Sequence, residues 1–434
     1  MFTKKTIRDI QDISGKKVLV RVDFNVPINE FGVITDDYRI RQALPTIEHL
    51  RALGAKIILI SHLGRPEGPN DKSNSLAPIA HRLKDLLCLP INFVEDCRGN
   101  KPKDAIKKMK NGDIILLENL RFYKEEEAND EGFAKELASY ADMFVQDGFG
   151  VVHRSHASTD LVATLLPSYA GVLLEKEVDV ITESMQKPDK PLLVIIGGAK
   201  ISDKIDLLKI FIEKADFVAV VGAMANTFLV ASGIGVGKSL VEKDSIQIAK
   251  EILELANSKM KKQKFTFYLP EDVVVAKTKD TLVPTRVVVI ANHTWADISA
   301  YPKQPLKSSY TVADNELILD IGPMSANLIA GAIKMSNTAI WNGTAGVTEV
   351  VGFHGAAAPF SHGTRIITQA LTGQNSRDKN HPFAVVGGGD TVGYVESIDG
   401  LRERLGHVST GGGASMDLMA GKKLPGLEAL LNKK

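Results

Sequence analysis

Residues 18–25, VLVRVDFN, residues 39–54, RIRQALPTIEHLRALG, and residues 57–65, IILISHLGR, follow one another as strand, helix and strand. The first and third are short runs of branched apolar residues. The middle stretch places Ile40, Leu44, Ile47, Leu50 and Leu53 near helical spacing, with Gly54 positioned as a C-cap. Two strands joined through a helix are the unit of a parallel sheet. The same alternation continues to about Ala170, so the first part of the chain is expected to be a doubly wound α/β sheet. Residues 171–191, GVLLEKEVDVITESMQKPDKP, contain no strand signal and read as one helix closed by Pro188 and Pro191. Alternation then resumes through PLLVIIGG, DFVAVVGA, KFTFYLP, ELILDIGP, NTAIWNG, FAVVGGG and HVSTGGG, a second doubly wound sheet. In residues 278–315, VVVIAN suggests a strand, whereas the surrounding Pro, Ser and Asn suggest loop.

The strand ends differ between the two parts. In the first, VLVRVDFN ends near Asp23 and Asn25, IILISHLGR at His62 and Arg65, IILLENLR at Arg121, and FVQDGFGVVHR at Arg154. In the second, LLVIIGGAK ends at Gly197, Gly198 and Lys200, FAVVGGGDT at Gly387, Gly388, Gly389, Asp390 and Thr391, and HVSTGGGAS at Gly411 to Ser415. Open α/β sheets bind ligands beyond the carboxyl ends of their strands. One crevice is therefore suited to an anion and the other to a nucleotide, and two such crevices on one chain point to phosphoryl transfer.

Composition limits the alternatives. A chain of 434 residues suits two domains of roughly 200 residues each. With 53 Lys and Arg against 52 Asp and Glu, there is no charge excess to favour a nucleic acid or a membrane surface. Two cysteines, Cys88 and Cys97, do not make a disulfide framework, and no apolar run approaches the ~20 residues that span a bilayer. The start, MFTKKTIRDI, has no apolar segment after its lysines, so a cytoplasmic chain is expected.

Individual motifs carry unequal weight. SGIGVGKSL resembles a P-loop, but Ser232 stands where the first glycine belongs. No G-x-G-x-x-G follows a glycine-ending strand, which disfavours a dinucleotide oxidoreductase. Lys200 and Lys204 are four residues apart, so on a helix they share one face and could meet a polyphosphate; a solvated helix start is the alternative. Asp390 could hold Mg²⁺ or cap a helix. Gly411 to Gly413 could offer backbone N–H groups to a transferring phosphoryl group or form a flexible turn. His153 and His156 lack a third ligand for zinc.

Taken together, RVDFNVP, DDYRIRQALPTI, SHLGRP, LLENLRF, GFGVVHRSHAS, GGAKISDKI, VVGGGDT and HVSTGGGAS resemble the phosphoglycerate kinase family in order and spacing, through nearly the whole chain. The resemblance implies two Rossmann-like domains: residues 1–170 for 3-phosphoglycerate, residues 171–190 as a hinge helix, residues 191–405 for the nucleotide, and about 406–434 returning to the first domain. It implies that Asp23, Asn25, Arg39, His62, Arg65, Arg121 and Arg154 hold phosphoglycerate. Arg39, Lys200 and Gly412 would serve the transferred group. Gly198, Lys204, Glu349, Gly387, Gly388, Gly389, Asp390 and Thr391 would hold ATP or ADP, with Asp390 on Mg²⁺, in a monomer. The implied reaction moves a phosphoryl group between 1,3-bisphosphoglycerate and ADP after the domains close. Departures lie in the nucleotide half. WNGTAGVTE has Thr344 and Thr348 where the family usually has proline and phenylalanine, and VGAMANTF has Val221 and Ala223 for two glycines. Residues 276–315 and FHGAAAPFSHGT match poorly. The remaining readings are a kinase for another small carboxylate or acyl phosphate, disfavoured by Asp23, Asn25 and the complete arginine set, and a non-catalytic binding protein, disfavoured by Lys200, Lys204 and Asp390.

Overall fold

The computed structural model describes residues 2–290, 311–352, 358–374 and 381–433. The first sheet contains β1 (Lys17–Arg21), β2 (Lys56–Ile60), β3 (Asn92–Val94), β4 (Ile114–Leu117), β5 (Met143–Gln146) and β6 (Ser168–Ala170). All its pairings are parallel, in the order β3-β4-β2-β1-β5-β6. Residues after the first in β1 and β2, and all of β4 and β5, are buried, as expected when helices cover both faces of a parallel sheet. The helix Tyr38–Ala52 joins β1 to β2, and Gly54 reverses the chain after it with φ +78°.

Beyond the helix Val172–Gln186 come β7 (Leu192–Ile196), β8 (Phe217–Val220), β9 (Thr266–Tyr268), β10 (Asp272–Ala276), β11 (Arg286–Val289), β12 (Leu317–Ile321), β13 (Thr338–Asn342), β14 (Phe383–Gly387) and β15 (His407–Val408). Six of them form a second parallel sheet in the order β15-β14-β13-β7-β8-β9. The reading of ELILDIGP as part of that sheet is corrected here. As β12, it pairs antiparallel with β10, which pairs antiparallel with β11, and the three strands form a separate small sheet. An apolar run reports burial, not its pairing partner, and DVVVA, now β10, escaped the sequence reading altogether. VVVIAN does contain a strand, Arg286–Val289. Residues 291–310 and 353–357, which include much of the two poorly matching stretches, lie outside the described residues.

The chain divides into two compact units, residues 1–182 with 410–434, and residues 183–409. The C-terminal segment is tied into the first unit by several bonds. Thr410 donates from its N–H and its hydroxyl to Glu177 Oε1 at 2.6 and 2.7 Å, Gly426 donates to the Val152 carbonyl, and Lys4 bridges antiparallel to Asn432.

In each parallel sheet the connections leave in opposite directions from two adjacent central strands, β1 and β5 in the first and β7 and β13 in the second. These are the points where a crevice opens. Within the second unit, Asp272 fastens the small sheet to the helix Pro323–Lys334, accepting from Met324 N–H, Ser325 N–H and Ser325 Oγ at 2.9, 2.8 and 2.6 Å. Asp272→Ala removes this cap and is expected to cost about 2 kcal/mol, read as a lower urea midpoint. An unchanged midpoint would show that the helix start is held by other contacts.

Candidate active site

The first crevice is built from polar groups delivered at the ends of β1, β2, β4 and β5. Asp23, two residues past β1, is buried. Its Oδ2 accepts from Arg39 Nη1 at 3.0 Å and its Oδ1 from Asn25 N–H at 3.2 Å. Arg39, in the first turn of Tyr38–Ala52, also donates to the Asn25 carbonyl at 3.1 Å. Asn25 Oδ1 accepts from Gly64 N–H at 2.8 Å, and the Gly64 carbonyl accepts from Arg121 Nη1 at 2.9 Å. Three strand ends are thereby locked to one another through a carboxylate, an amide and two guanidinium groups. His62 is buried, and that burial, reinforced by Arg21, Arg121, Arg154 and Arg39, holds its pKa well below the ordinary histidine value. The ring is therefore neutral amid fixed positive charge.

Glycines make room for this arrangement. A Cβ on Gly148 would lie 3.2 Å from the Val22 carbonyl carbon, where β5 and β1 diverge, and one on Gly150 would fall 2.2 Å from Asp23 Oδ2. Arg65 is exposed three residues beyond His62. Of the residues expected to hold an anion, hydrogen bonds join Asp23, Asn25, Arg39 and Arg121; Arg154 reaches the group through its field at His62.

In the second unit the ends of β7 and β13 approach one another. A Cβ on Gly197 would meet the Thr344 carbonyl oxygen at 2.8 Å, and so would one on Gly222, whose φ is +67°. Lys204 is buried and donates to the Gly197 carbonyl and, at 2.6 Å, to Asn342 Oδ1. Burial lowers its pKa to about 8, against the raising influence of Asp390 and Asp203. The reading of Lys200 and Lys204 as neighbours on one helix face is corrected. Lys200 precedes the tight turn Ser202–Lys204, and the α-helix begins only at Ile205, so Lys200 is exposed while Lys204 turns inward.

Asp390 is exposed in the first turn of the helix Gly389–Glu396, and Thr391 Oγ1 accepts from Gly343 N–H at 2.7 Å. The glycines 387–389 end β14 and open that helix. Gly411 to Gly413 belong to the first unit, where Gly411 packs on Phe149 and Gly413 on His153.

A cavity of about 170 Å³ opens beside the glycines of the second unit, lined by Gly198, Gly222, Asn226, Asp320, Thr344 and Glu349 among others. Strands β10 and β12 contribute one wall, through Val273 and Ile318 to Ile321. Asp320 is buried and accepts from Gly363 and Ile321 N–H groups at 2.9 Å each, yet burial raises its pKa to about 7. Sequence reading missed Asn342, Asp320 and the buried Arg21. The visible signal for Arg21 was a lone charge in the apolar run VLVRV. Among the described residues, no group of three or more His, Cys, Asp or Glu could hold a metal ion, and no helix is long and apolar enough to cross a membrane.

Two open parallel sheets, one ending in arginines around a buried carboxylate and one ending in glycines around a buried lysine, define an α/β phosphotransferase. The phosphoglycerate kinase family model matches residues 7–422. The chain is 44% identical over 432 residues to the phosphoglycerate kinase of Dictyoglomus turgidum, covering 99% of this chain and all of that one. It is 43% identical over 430 residues to that of Moorella thermoacetica, with 99% and 100% covered. Among solved structures, the phosphoglycerate kinase of Coxiella burnetii superposes with a TM-score of 0.77 at 34% identity, 98% of each chain covered. That of Pyrococcus horikoshii gives 0.79 at 28% identity, with 99% and 98% covered. The chain belongs to the phosphoglycerate kinase family. Its reaction is reversible phosphoryl transfer between 1,3-bisphosphoglycerate and ADP, with a carboxyl group as the acceptor in the ATP-consuming direction.

Gly150→Ala is expected to push the Asp23 carboxylate off Arg39 and raise the KM for 3-phosphoglycerate by about tenfold, leaving the nucleotide KM unchanged. Equal shifts in both constants would count against a local effect on the basic crevice.

Proposed function

We propose that the crevice of the first unit binds 3-phosphoglycerate through Asp23, Asn25, Arg39, His62, Arg65, Arg121 and Arg154, and that the second unit binds ATP or ADP. The observation that carries this reading is the locked set Asp23, Arg39, Asn25, Gly64 and Arg121, in which charged donors are held by neighbouring strand ends before any ligand arrives. Fixed donors need little reorganisation when an anion binds.

For the nucleotide, the cavity is smaller than the ~300 Å³ at the lower end of drug-sized sites, so it suits a ring system and not a whole nucleotide. The phosphates then extend over Gly198 and Gly387 to Gly389 toward Lys204, Thr391 and Asp390, with Glu349 at the ribose. Asp390, an exposed carboxylate whose charge reaches the Lys204 ammonium, fits a cation carried by the phosphates. Mg²⁺ there would supply neutralisation of the phosphate charge.

Phosphoryl transfer needs alignment and charge neutralisation more than acid or base chemistry. Arg39, Lys200 and the Gly412 backbone N–H are assigned to the moving group. The attacking carboxylate oxygen carries no proton, so no general base is required. Because the two ligands belong to separate units, the units must close for transfer and in doing so exclude water from an easily hydrolysed acyl phosphate. The working enzyme is proposed to be a cytoplasmic monomer.

The test is formation of 1,3-bisphosphoglycerate from 3-phosphoglycerate and Mg-ATP, with Mg-GTP in parallel to read the effect of Thr344 and Thr348 at the cavity. Turnover with Mg-ATP is expected, and Arg39→Ala should lower it by about a hundredfold. Near-normal turnover of that variant would take Arg39 out of the mechanism.

Lys204 supplies a pH signature. Its folded pKa of about 8 lies below the ordinary lysine value, so the free protein loses this proton as pH rises through about 8, while a polyphosphate favours the charged form. The nucleotide KM should therefore rise above that pH, and binding near pH 8 should take up a proton, measurable calorimetrically in two buffers. Lys204→Ala should abolish the uptake; persistence would assign the proton elsewhere.

A further inference from the structure

Arg21 closes β1 beneath the basic crevice and is only 1% exposed, so it is covered by protein on all sides. Every nitrogen of its guanidinium has a neighbour. Nε donates to Ser158 Oγ at 2.8 Å, Nη1 donates to the Val22 carbonyl, and Nη2 lies 3.3 Å from His62 Nδ1. The nearest carboxylate, Glu126, is 3.9 Å away and is itself occupied by the Ser158 N–H and hydroxyl. Burying a guanidinium with so loose an ionic partner is costly. Its position against His62 gives that cost a use.

A guanidinium has donors and no acceptor, so the imidazole nitrogen it faces must present a lone pair. The other candidate partner of Nδ1, Asp23 Oδ1, is 3.9 Å away, beyond hydrogen-bond reach, and accepts from Asn25 N–H. The charged groups around the ring are Arg21 and Asp23 at the end of β1, Arg39 on the helix Tyr38–Ala52, Arg121 after β4 and Arg154 after β5. Four are cations, and with burial they keep the ring neutral. A neutral ring that accepts at Nδ1 carries its proton on Nε2.

We propose that Arg21 is a positioning residue that fixes His62 as the Nε2–H tautomer, so that the ring meets phosphoglycerate as a hydrogen-bond donor and not as a base. The role toward substrate rests on the assignment of His62 made above. A histidine backed by a carboxylate adopts the opposite tautomer, giving its Nδ1 proton to the carboxylate and exposing a basic Nε2. Backing by arginine inverts that arrangement. It suits a reaction in which the acceptor oxygen has no proton to lose, and because arginine does not titrate, the arrangement holds at every working pH.

The decisive measurement is the ¹⁵N spectrum of the ligand-free, histidine-labelled full chain, with the His62 signal assigned by its loss in His62→Gln. A protonated Nε2 and an unprotonated Nδ1 are expected between about pH 6 and 9. A proton on Nδ1, or an imidazolium at the acid end, overturns the proposal. Arg21→Lys keeps a donor-only partner and should retain the tautomer. Arg21→Gln can donate or accept, so it should mix the two forms and raise the 3-phosphoglycerate KM by about tenfold, with the Mg-ATP KM changed by less than about twofold. A pure Nε2–H signal in Arg21→Gln, or an Nδ1–H signal in Arg21→Lys, also overturns it. Should Arg21→Gln fail to fold, the parent spectrum and Arg21→Lys decide. The 3-phosphoglycerate KM of His62→Gln separately reads whether His62 touches substrate; an unchanged value there ends that assignment and leaves the tautomer result intact.

Discussion

The arrangement depends on how closely two strand ends can approach where each parallel sheet changes winding direction. In the first sheet Gly148 comes against the backbone of Arg21 and Val22; in the second, Gly197 comes against Gly343 and Thr344. A side chain at Gly197 would force the central strands apart, and one at Gly148 would press β1 aside by a few tenths of an ångström. Either would also widen the crevice that opens between the strands, since the groups lining it are carried on the residues immediately following. Asp23 and Asn25 on one side, and Lys204 and Asn342 on the other, take their positions from backbone contact below them. The two halves have thus met the same packing problem with the same residue type, while filling the resulting openings with opposite chemistry.

That chemistry differs in how charge is stabilised. The first crevice concentrates cations around one buried carboxylate and one neutral imidazole, and the cations are oriented by carbonyls and amides of adjacent strand ends. The second conceals its principal cation. Lys204 is held against a carbonyl and an amide oxygen, in surroundings dry enough to weaken its hold on the proton. A polyphosphate arriving there meets an ammonium group already paired with neutral oxygens, which it can compete for. One site is pre-charged, and the other, on the proposed assignment of Lys204 to the nucleotide phosphates, would become fully charged as its ligand binds.

Much of this was legible in the sequence. Parallel strands read well because burial on both faces makes them apolar throughout, and their ends were marked by an abrupt change to charge or glycine. Arg65 and Arg121 could be placed because each sits within a few positions of a strand end. What failed did so for identifiable reasons. ELILDIGP looks like any buried strand, and nothing in its composition reveals antiparallel pairing with DVVVA. Lys200 and Lys204 have helical spacing, but the helix starts only at Ile205, beyond both of them. Arg21 was hidden because a charged residue inside a strand has no expected role until its neighbours are known.

The bridge between Lys4 and Asn432 brings the two ends of the chain together, and residues 410–434 complete a unit that began at the N-terminus. During synthesis the two units therefore become available in the reverse of the order in which they begin. The second unit is one uninterrupted segment and has all its residues once Ser409 emerges from the ribosome, whereas the first waits for the last 25 residues. Until then the nascent first unit has its arginines but lacks the strap carrying Thr410 and the glycines beyond it. A chain stopped early would leave the second unit whole and the first unfinished, although almost nine tenths of the first unit's residues had been made.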